Sequence, residues 1–596
     1  MLIIIIIVYQ FQLILTSSKK NILNNISYIG FVAILIYEIF QIYTTKRDLL
    51  QLSQNLNFNL AYFLICCCVF AAIILLNKDK DLVAEETIPI LKEKKSNAYF
   101  DGLFTFWKQL PWFINGGVLL LSLLMGLLCF FDLGYFDILP DETLHIEAAK
   151  GFNETGSFKR WDFLLNKTGE PYDRAWSYTF LISIVYKFFG VSVENARLVS
   201  ALFGVIFVPL IFRISMYFTK SYTASLLTTL AVIFCPYFLV YFRRIRMYSM
   251  LLPVFALFYY FAIRVLNEPS GRNKLFGSVL LGKLLDFKMP LLGVTLFFLF
   301  LSFNVHQLSL LSLVALFIYF IYLVILQKSL RLMTIFGLGV IILILIMIKP
   351  EVSGGLENKF SFFKENNQIY LTFLLKPLFS INFTLAVFTS GFLFIFKNEN
   401  KQMLAALYAM VLSTICLFVY CIQYDIHFRY ISYTMPFFYI LMFSLLSIYN
   451  EKAAPKYFSF VLPLACLTVI VLNFVNSKES IYYKNPEAQF TEKVYRTMKR
   501  QFDPKTQQIL ALFPEEFYLD EMAPNTPLIA MPKDKELGLG QLNFLLSKKQ
   551  STWVTWPTHK SRHMRQEVIE KINNTCQKYH GYAIDNTFVE LYLCTR

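Results

Sequence analysis

Charged side chains are scarce in this chain: 16% of its 596 residues are Asp, Glu, Lys or Arg, where a soluble domain carries about a quarter. That shortage excludes an ordinary soluble enzyme. Glycine and proline stand at an ordinary 23 and 21 residues, which excludes collagen-like and low-complexity disordered chains. Several signatures are missing as well. There is no CxxC pair, Walker loop, dinucleotide fingerprint or HExxH, which argues against a structural zinc site, a nucleotide-driven pump and a membrane zinc protease. Neither an internal repeat nor a low-complexity linker is visible.

Apolar residues fill the space left by charge. They make up 56% of the chain, with a mean hydropathy of +0.52. Runs long enough to cross a bilayer recur at roughly 1–17, 26–43, 57–76, 112–131, 195–217, 221–242, 247–266, 284–303, 306–326, 332–348, 381–397, 402–421, 431–449 and 456–474. Backbone polar groups cannot stay unpaired in hydrocarbon, so each run is expected to be helical. Met1–Leu15 lacks the basic n-region and small-residue cleavage site of a signal peptide and is read as a retained helix. The expectation is an all-α polytopic membrane protein of about fourteen spans.

A net charge of +15 raises the question of nucleic acid, but in a membrane protein basic residues gather in cytoplasmic loops, and no nucleic-acid partner is expected. Lys78, Lys80, Lys92, Lys94, Lys95 and Lys108 mark 77–111 as cytoplasmic. Arg272, Lys274, Lys283 and Lys288, Lys328 with Arg331, Lys397 with Lys401, and Lys452 with Lys456 mark further inner loops. These agree with one another if 176–190, short and interrupted by Lys187, is re-entrant or interfacial. A crossing at 176–190 with a hairpin at 276–303 is the competing solution. In the preferred count, 132–194 and the C-terminal region share the outer face.

Three regions follow: N-terminal helices and a basic loop over 1–111, a membrane domain over 112–475, and a soluble region over 476–596. In 477–596 there are 17 basic and 14 acidic residues and no further span. Short β-like runs (Pro527–Met531, Ser551–Trp556, Phe588–Cys594) alternate there with helical ones (Lys535–Leu546, Ser561–Tyr579), which predicts a small α/β domain. Cys66, Cys67, Cys68, Cys129, Cys235, Cys416, Cys421 and Cys466 lie in apolar segments as small hydrophobes. Cys576 and Cys594 lie in polar sequence and would pair if that region faces an oxidising compartment. The sequons at Asn153, Asn166 and Asn573 matter only in a eukaryotic secretory lumen.

The most informative stretch runs from Phe131 to Tyr178. Asp141 and Glu142 follow Pro140 and open a helical pattern. One reading is helix capping, because carboxylates there meet free N–H groups and the dipole. The other is a general base just outside the membrane, with a second carboxylate about 100° further round the helix to serve a different partner. This arrangement resembles the GT-C superfamily of membrane glycosyltransferases, most closely the dolichyl-phosphate-mannose protein mannosyltransferase and aminoarabinose-transferase group. Further stretches resemble that group in the same order: VENARLVSALFGVIFVPLIFR with Arg197, FCPYFLVYFRRIRMY ending at Tyr248, NVHQLSLL with His306, and HFRYISYTMP with Arg429 and Tyr430. Together they cover about 110–475. Departures exist: Leu144 stands where the aminoarabinose group has Arg, Ala175 where Pro follows the loop's basic residue, and Tyr433 where the late motif has its first Pro. They argue against that particular reaction.

The resemblance implies transfer of a sugar from a polyprenyl- or dolichyl-phosphate donor to a protein, lipid or glycan acceptor at the outer membrane face. It also implies membrane lipid as a partner. The leaving phosphate gains charge and calls for cations, and arginine suits phosphate through its planar fork. Arg174, Arg197, Arg243, Arg246, His306 and Arg429 are the candidates, with His145, Tyr172, Tyr248 and Tyr430 lining the substrate. Asp141 is the expected base, with inversion, and Glu142 the orienting group. For Arg243 the competing reading is inner-face anchoring, and for Arg429 and Tyr430 it is interfacial snorkelling. A divalent metal near Asp141, Glu142 and His145 is left open. The location implied is the plasma (inner) membrane of a bacterium, or alternatively the endoplasmic reticulum. The rival function is a polytopic transporter or lipid-linked glycan flippase, which places charges near the midplane and shows related halves.

Overall fold

The structure is a computed structural model, described for residues 19–44, 63–64, 66–70, 106–108, 110–131, 133, 140–163, 166–172, 174–270, 279, 286–327, 378–392, 395, 400–420, 428–453, 459–476, 498, 501–503, 505–511, 528–530, 539–557, 565–579 and 589–595. The expected spans 1–17 and 332–348, most of 57–76, the basic stretch 77–105 and Cys421 lie outside the described residues.

In chain order the elements are α1 (Lys19–Thr44), α2 (Trp112–Phe130), α3 (Pro140–Thr155), the strands β1 (Lys159–Asp162) and β2 (Lys167–Pro171), α4 (Trp176–Phe189), α5 (Val193–Thr219), α6 (Tyr222–Ile233), α7 (Pro236–Arg243) and α8 (Tyr248–Asn267). There follow α9 (Met289–Val305), a 3-10 turn (Gln307–Leu311), α10 (Ser312–Gln327), α11 (Ile381–Gly391), α12 (Lys401–Tyr420), a 3-10 turn (Phe428–Tyr430), α13 (Met435–Ala453) and α14 (Val461–Asn476). The remainder is β3 (Gln507–Ala511), β4 (Leu528–Ala530), α15 (Leu539–Leu546), β5 (Ser551–Pro557), α16 (Gln566–Thr575), β6 (Gln577–Lys578) and β7 (Val589–Thr595).

Two compact units result. One holds Met1–Cys129, Ala201–Phe242 and Met247–Ser480; the other holds Phe130–Ser200, Arg243–Arg246 and Ile481–Arg596. The first is helical. Among the described residues α2, α5, α8 and the Lys401–Phe418 part of α12 are long and apolar enough to cross a membrane. Helices α6 and α7 together make a fifth candidate, bent by 58°. The sequence expects a single span over 221–242; Pro236 explains the break, because proline disfavours helix at the residue before it and Cys235 is non-helical there. Leu119, Leu120, Leu123 and Leu127 of α2 are exposed, an apolar face that a bilayer rather than water would cover.

Many polar groups inside this unit are paired with backbone, as a low-dielectric interior favours. Thr228 and Thr229 bond back to the Ala224 and Ser225 carbonyls at 2.8 Å. Tyr259 donates to the Ala406 carbonyl at 2.7 Å, and Tyr408 to that of Phe388 at 2.7 Å. Glu38 of α1 is fully buried and accepts from the backbone N–H and hydroxyl of Ser380, the N-cap of α11, at 2.7 and 2.6 Å.

The second unit contains α3, the antiparallel β1–β2 hairpin, α4, and a five-stranded sheet of order β4-β3-β5-β7-β6. Strand β3 pairs in parallel with β4 and β5, while β7 runs antiparallel to β5 and β6. Leu510, Leu542, Val554, Val568, Ile572 and Tyr592 form a core between this sheet and helices α15 and α16. A disulfide joins Cys576 to Cys594.

Candidate active site

Helix α3 begins at Pro140, whose missing N–H costs nothing at a helix start, and Asp141 and Glu142 fill its first turn. The two carboxylates diverge. Asp141 is exposed and receives a hydrogen bond from Arg246 Nη1. Glu142 is fully buried. Its Oε1 accepts the backbone N–H of Ile245 at 2.6 Å, and its Oε2 pairs with Arg197 Nη2 at 3.4 Å. Arg197, also fully buried, donates through Nη1 to the Leu133 carbonyl at 2.7 Å. One acidic pair therefore fastens the start of α3 to α5 and to the Arg243–Arg246 segment. That segment brings further charge: Arg243 and Arg244 are 1% and 4% exposed.

Behind the pair, His145 is buried on the same helix. Its Nδ1 shares a hydrogen bond with the Thr179 hydroxyl at 2.9 Å, and the rings of Tyr172 and Tyr178 meet it edge-on at 5.5 and 5.2 Å. Burial lowers the imidazole pKa to about 4; Arg246 lowers it too, against the opposing pull of Asp141 and Glu142. His145 is therefore neutral at pH 7. Tyr172 is pushed up to about 12 by burial, with Arg174, on the exposed loop beside it, opposing. Tyr178 shares a 2.6 Å hydrogen bond with Ser200.

The hairpin packs onto α3 at Gly151, where a Cβ would lie 1.8 Å from the Lys159 carbonyl oxygen. That approach carries Arg160 to Glu147, which it meets at 2.6 Å. On the same helix Lys150 pairs with Glu154. Asn153, the first residue of a sequon, donates its amide to the Ser183 carbonyl at 2.9 Å.

A second group of sequence-predicted residues meets inside the helical unit. Tyr248 at the start of α8 lies 5.3 Å from Tyr241 and 5.5 Å from His306, which follows α9. His306 lies 5.9 Å from Tyr430. The Arg429 guanidinium sits 5.0 Å over the Tyr430 ring and donates to its hydroxyl at 3.1 Å. Residues from three separate motifs thus form one aromatic and cationic surface.

Asp141, Glu142 and His145 do not fit a divalent metal. Asp141 Oδ2 is engaged by Arg246, the two Glu142 oxygens by Ile245 and Arg197, and His145 Nδ1 by Thr179. Among the described residues no group of three or more His, Cys, Asp or Glu is arranged to hold one. Sequence reasoning missed Arg160, Thr179 and the Ile245 N–H. Only Arg160 carried a signal, as one of the few basic residues on the outer loop.

Comparison of the sequence with protein-family models and with curated proteins finds no match. Among solved structures, the fold is similar to ArnT from Cupriavidus metallidurans, bound to undecaprenyl phosphate and in the apo state, at 12% identity and a TM-score of 0.48. That similarity covers 80% of this chain and 98% of ArnT. The archaeal oligosaccharyltransferase AglB from Archaeoglobus fulgidus, in complex with an inhibitory peptide and a dolichol-phosphate, is similar at 11% identity and a TM-score of 0.45, over 78% of this chain and 71% of AglB.

Proposed function

We propose that the chain is a membrane glycosyltransferase that moves a sugar from a polyprenyl-phosphate donor to a hydroxyl or phosphate of a protein, lipid or glycan acceptor. The observation that carries this reading is the solvent-facing carboxylate of Asp141, held by Arg246 beside the buried Glu142–Arg197 pair. Around the two carboxylates stand Arg197, Arg246 and, in the segment that caps Glu142, Arg243 and Arg244. An excess of guanidinium over carboxylate in a partly desolvated place suits an anionic ligand that gains charge as it leaves. Anchoring arginines would face the headgroups; the burial of Arg243 and Arg244 favours a ligand or positioning role.

In the mechanism, Asp141 accepts the proton of the acceptor hydroxyl. The acceptor oxygen attacks the anomeric carbon, the carbon–oxygen bond to phosphate breaks, and the polyprenyl phosphate leaves with inversion. Transfer of the Arg246 guanidinium from Asp141 to the donor phosphate would release the base and stabilise the leaving group in one movement. Glu142 positions the Arg243–Arg246 segment rather than touching substrate. Arg174 supplies a further cation, and Tyr172 lines the sugar.

The same reading puts 112–475 in the membrane as part of a fourteen-span chain, with 132–194 and the soluble α/β region 476–596 on the extracytoplasmic side. Helix α4, at 14 residues, is about 21 Å long, short of the ~30 Å hydrocarbon core, which favours an interfacial place for it. The Cys576–Cys594 disulfide supports an oxidising outer face for 476–596.

The test is Asp141→Asn in membranes supplied with labelled polyprenyl-phosphate sugars. Transfer by the wild type and a loss of about 10²–10⁴-fold in the variant are expected. Undiminished transfer by the variant removes Asp141 as base. No transfer by the wild type with any such donor favours a transporter or flippase.

A further inference from the structure

A cluster within the helical unit, on the C-terminal parts of α5 and α8, has no part in the transfer chemistry. Arg213 of α5 lies with its guanidinium 4.0 Å over the Phe106 ring and 5.9 Å from the Tyr260 ring. Its Nε is buried and has no hydrogen-bond partner. Among the described residues Arg213 forms no ion pair, and the two aromatic rings lie against its guanidinium. The side chain as a whole is half-buried, and ring quadrupoles contribute only about 0.5–2 kcal/mol to such a cation, which leaves it able to take an anionic partner.

More positive charge surrounds the same rings. Arg264 lies 5.6 Å from the centre of the Tyr260 ring, and Lys220 lies 5.0 Å over Tyr217, whose ring is 5.0 Å from that of Tyr260. Lys288 is near by through Glu268, which accepts from it at 2.9 Å and from Arg264 at 2.7 and 3.0 Å. Asp286 is bonded by the Ser270 hydroxyl at 2.5 Å. Four cations thus gather around these rings, with Arg264 and Lys288 sharing the Glu268 carboxylate.

The surroundings identify the solvent. Phe106 and Trp107 immediately precede α2 and pack on Phe212 and Met216, and Asn115 ties the turn by donating to the Trp107 carbonyl at 2.8 Å. Next in the chain, Trp112 and Phe113 are 84% and 59% exposed. Exposed aromatics at the start of an apolar helix, beside basic residues, belong at the headgroup level of a bilayer. By sequence this is also the end of the helices that carries the basic stretch 77–111.

We propose that the cluster of Arg213, Lys220, Tyr260 and Arg264 is a binding site for the phosphate headgroup of an anionic glycerophospholipid in the leaflet that faces the basic loops. The headgroup phosphate completes the pairing of Arg213, and the acyl chains lie along the exposed apolar face of α2. The inference stands apart from the proposed sugar transfer.

The full chain, purified in a neutral detergent, tests it by native mass spectrometry and thermal unfolding with phosphatidylglycerol, phosphatidylcholine or inorganic phosphate added. Phosphatidylglycerol is expected to be retained and to raise the unfolding temperature, and the other two are not. Arg213→Gln is expected to weaken that retention about fivefold. Phe106→Leu, which keeps the charge but removes its seat, weakens it about two- to fivefold. Equal retention by wild type and both variants, or equal retention of phosphatidylcholine, overturns the site. A shift with inorganic phosphate as large as that with phosphatidylglycerol overturns its assignment to lipid. Should Arg213→Gln fail to fold, Phe106→Leu and the comparison of lipid classes on the wild type still decide.

Discussion

The Glu142 carboxylate accepts the backbone N–H of Ile245 at 2.6 Å while pairing with Arg197 at 3.4 Å, and no part of it reaches solvent. A buried ion pair contributes little net stability against an apolar replacement, but breaking one side leaves the other charge stranded. Glu142→Gln is therefore expected to destabilise the protein by about 3–5 kcal/mol, read as a lowered unfolding temperature in detergent. Combining it with Arg197→Met should recover much of that loss. A double variant no better than the single one would mean that the Ile245 bond, and not the pair, carries the effect.

His145 gives a prediction with a definite sign. Its pKa falls from 6.5 unfolded to about 4 folded because burial penalises the imidazolium. The unfolded chain then binds the extra proton first, so stability falls as pH drops from about 6.5 through about 4 and levels off below. At full effect this is about 3 kcal/mol. His145→Asn should flatten the fall in unfolding temperature between pH 7 and pH 5, a window above most carboxylate titration. An unchanged slope would contradict the burial argument.

Gly151 is required by the approach of the hairpin, since a Cβ there would meet the Lys159 carbonyl oxygen at 1.8 Å. A backbone atom in a paired strand does not yield as a flexible side chain would. Gly151→Ala should cost about 1–3 kcal/mol and loosen the Arg160–Glu147 contact. Thermal unfolding measures the first. Faster proteolytic cleavage within 156–172 would report the second, and wild-type behaviour in both would show that the strand can shift freely.

Helical, apolar architecture is legible in the sequence because hydrocarbon leaves so few choices: long runs without charge, ended by basic loops. The acidic pair was legible too, as two carboxylates after Pro140 at the head of a helix. What joins it to the protein was not. Arg197 and Ile245 stand 55 and 103 residues away from Glu142, and Ile245 contributes only a backbone N–H that no side-chain pattern reveals. Glu147 and Lys150 are helix neighbours, yet each is satisfied elsewhere because the β1 strand delivers Arg160 across Gly151. Strand β3 was invisible because its Gln507–Gln508 start breaks the apolar pattern, although Gln508 is buried and donates to Leu545 O at 2.6 Å and to the Thr552 hydroxyl at 2.9 Å.

The Cys576–Cys594 disulfide ties both topology and stability to one measurement. It links the end of α16 to the penultimate residue of β7, 18 residues apart, and a loop of that size restricts the unfolded chain by about 3 kcal/mol. The double variant Cys576→Ser/Cys594→Ser should lower the unfolding temperature of the soluble unit. The wild type should show the same loss under a thiol reductant, while the variant should not respond. Membrane-impermeant maleimide applied to intact cells or vesicles should label the pair only after reduction, and only from the extracytoplasmic side. Labelling without reduction, or from the cytoplasmic side alone, would place 476–596 in a reducing compartment. The acidic pair would then be moved to the inner face only if 132–194 proved accessible from that side as well.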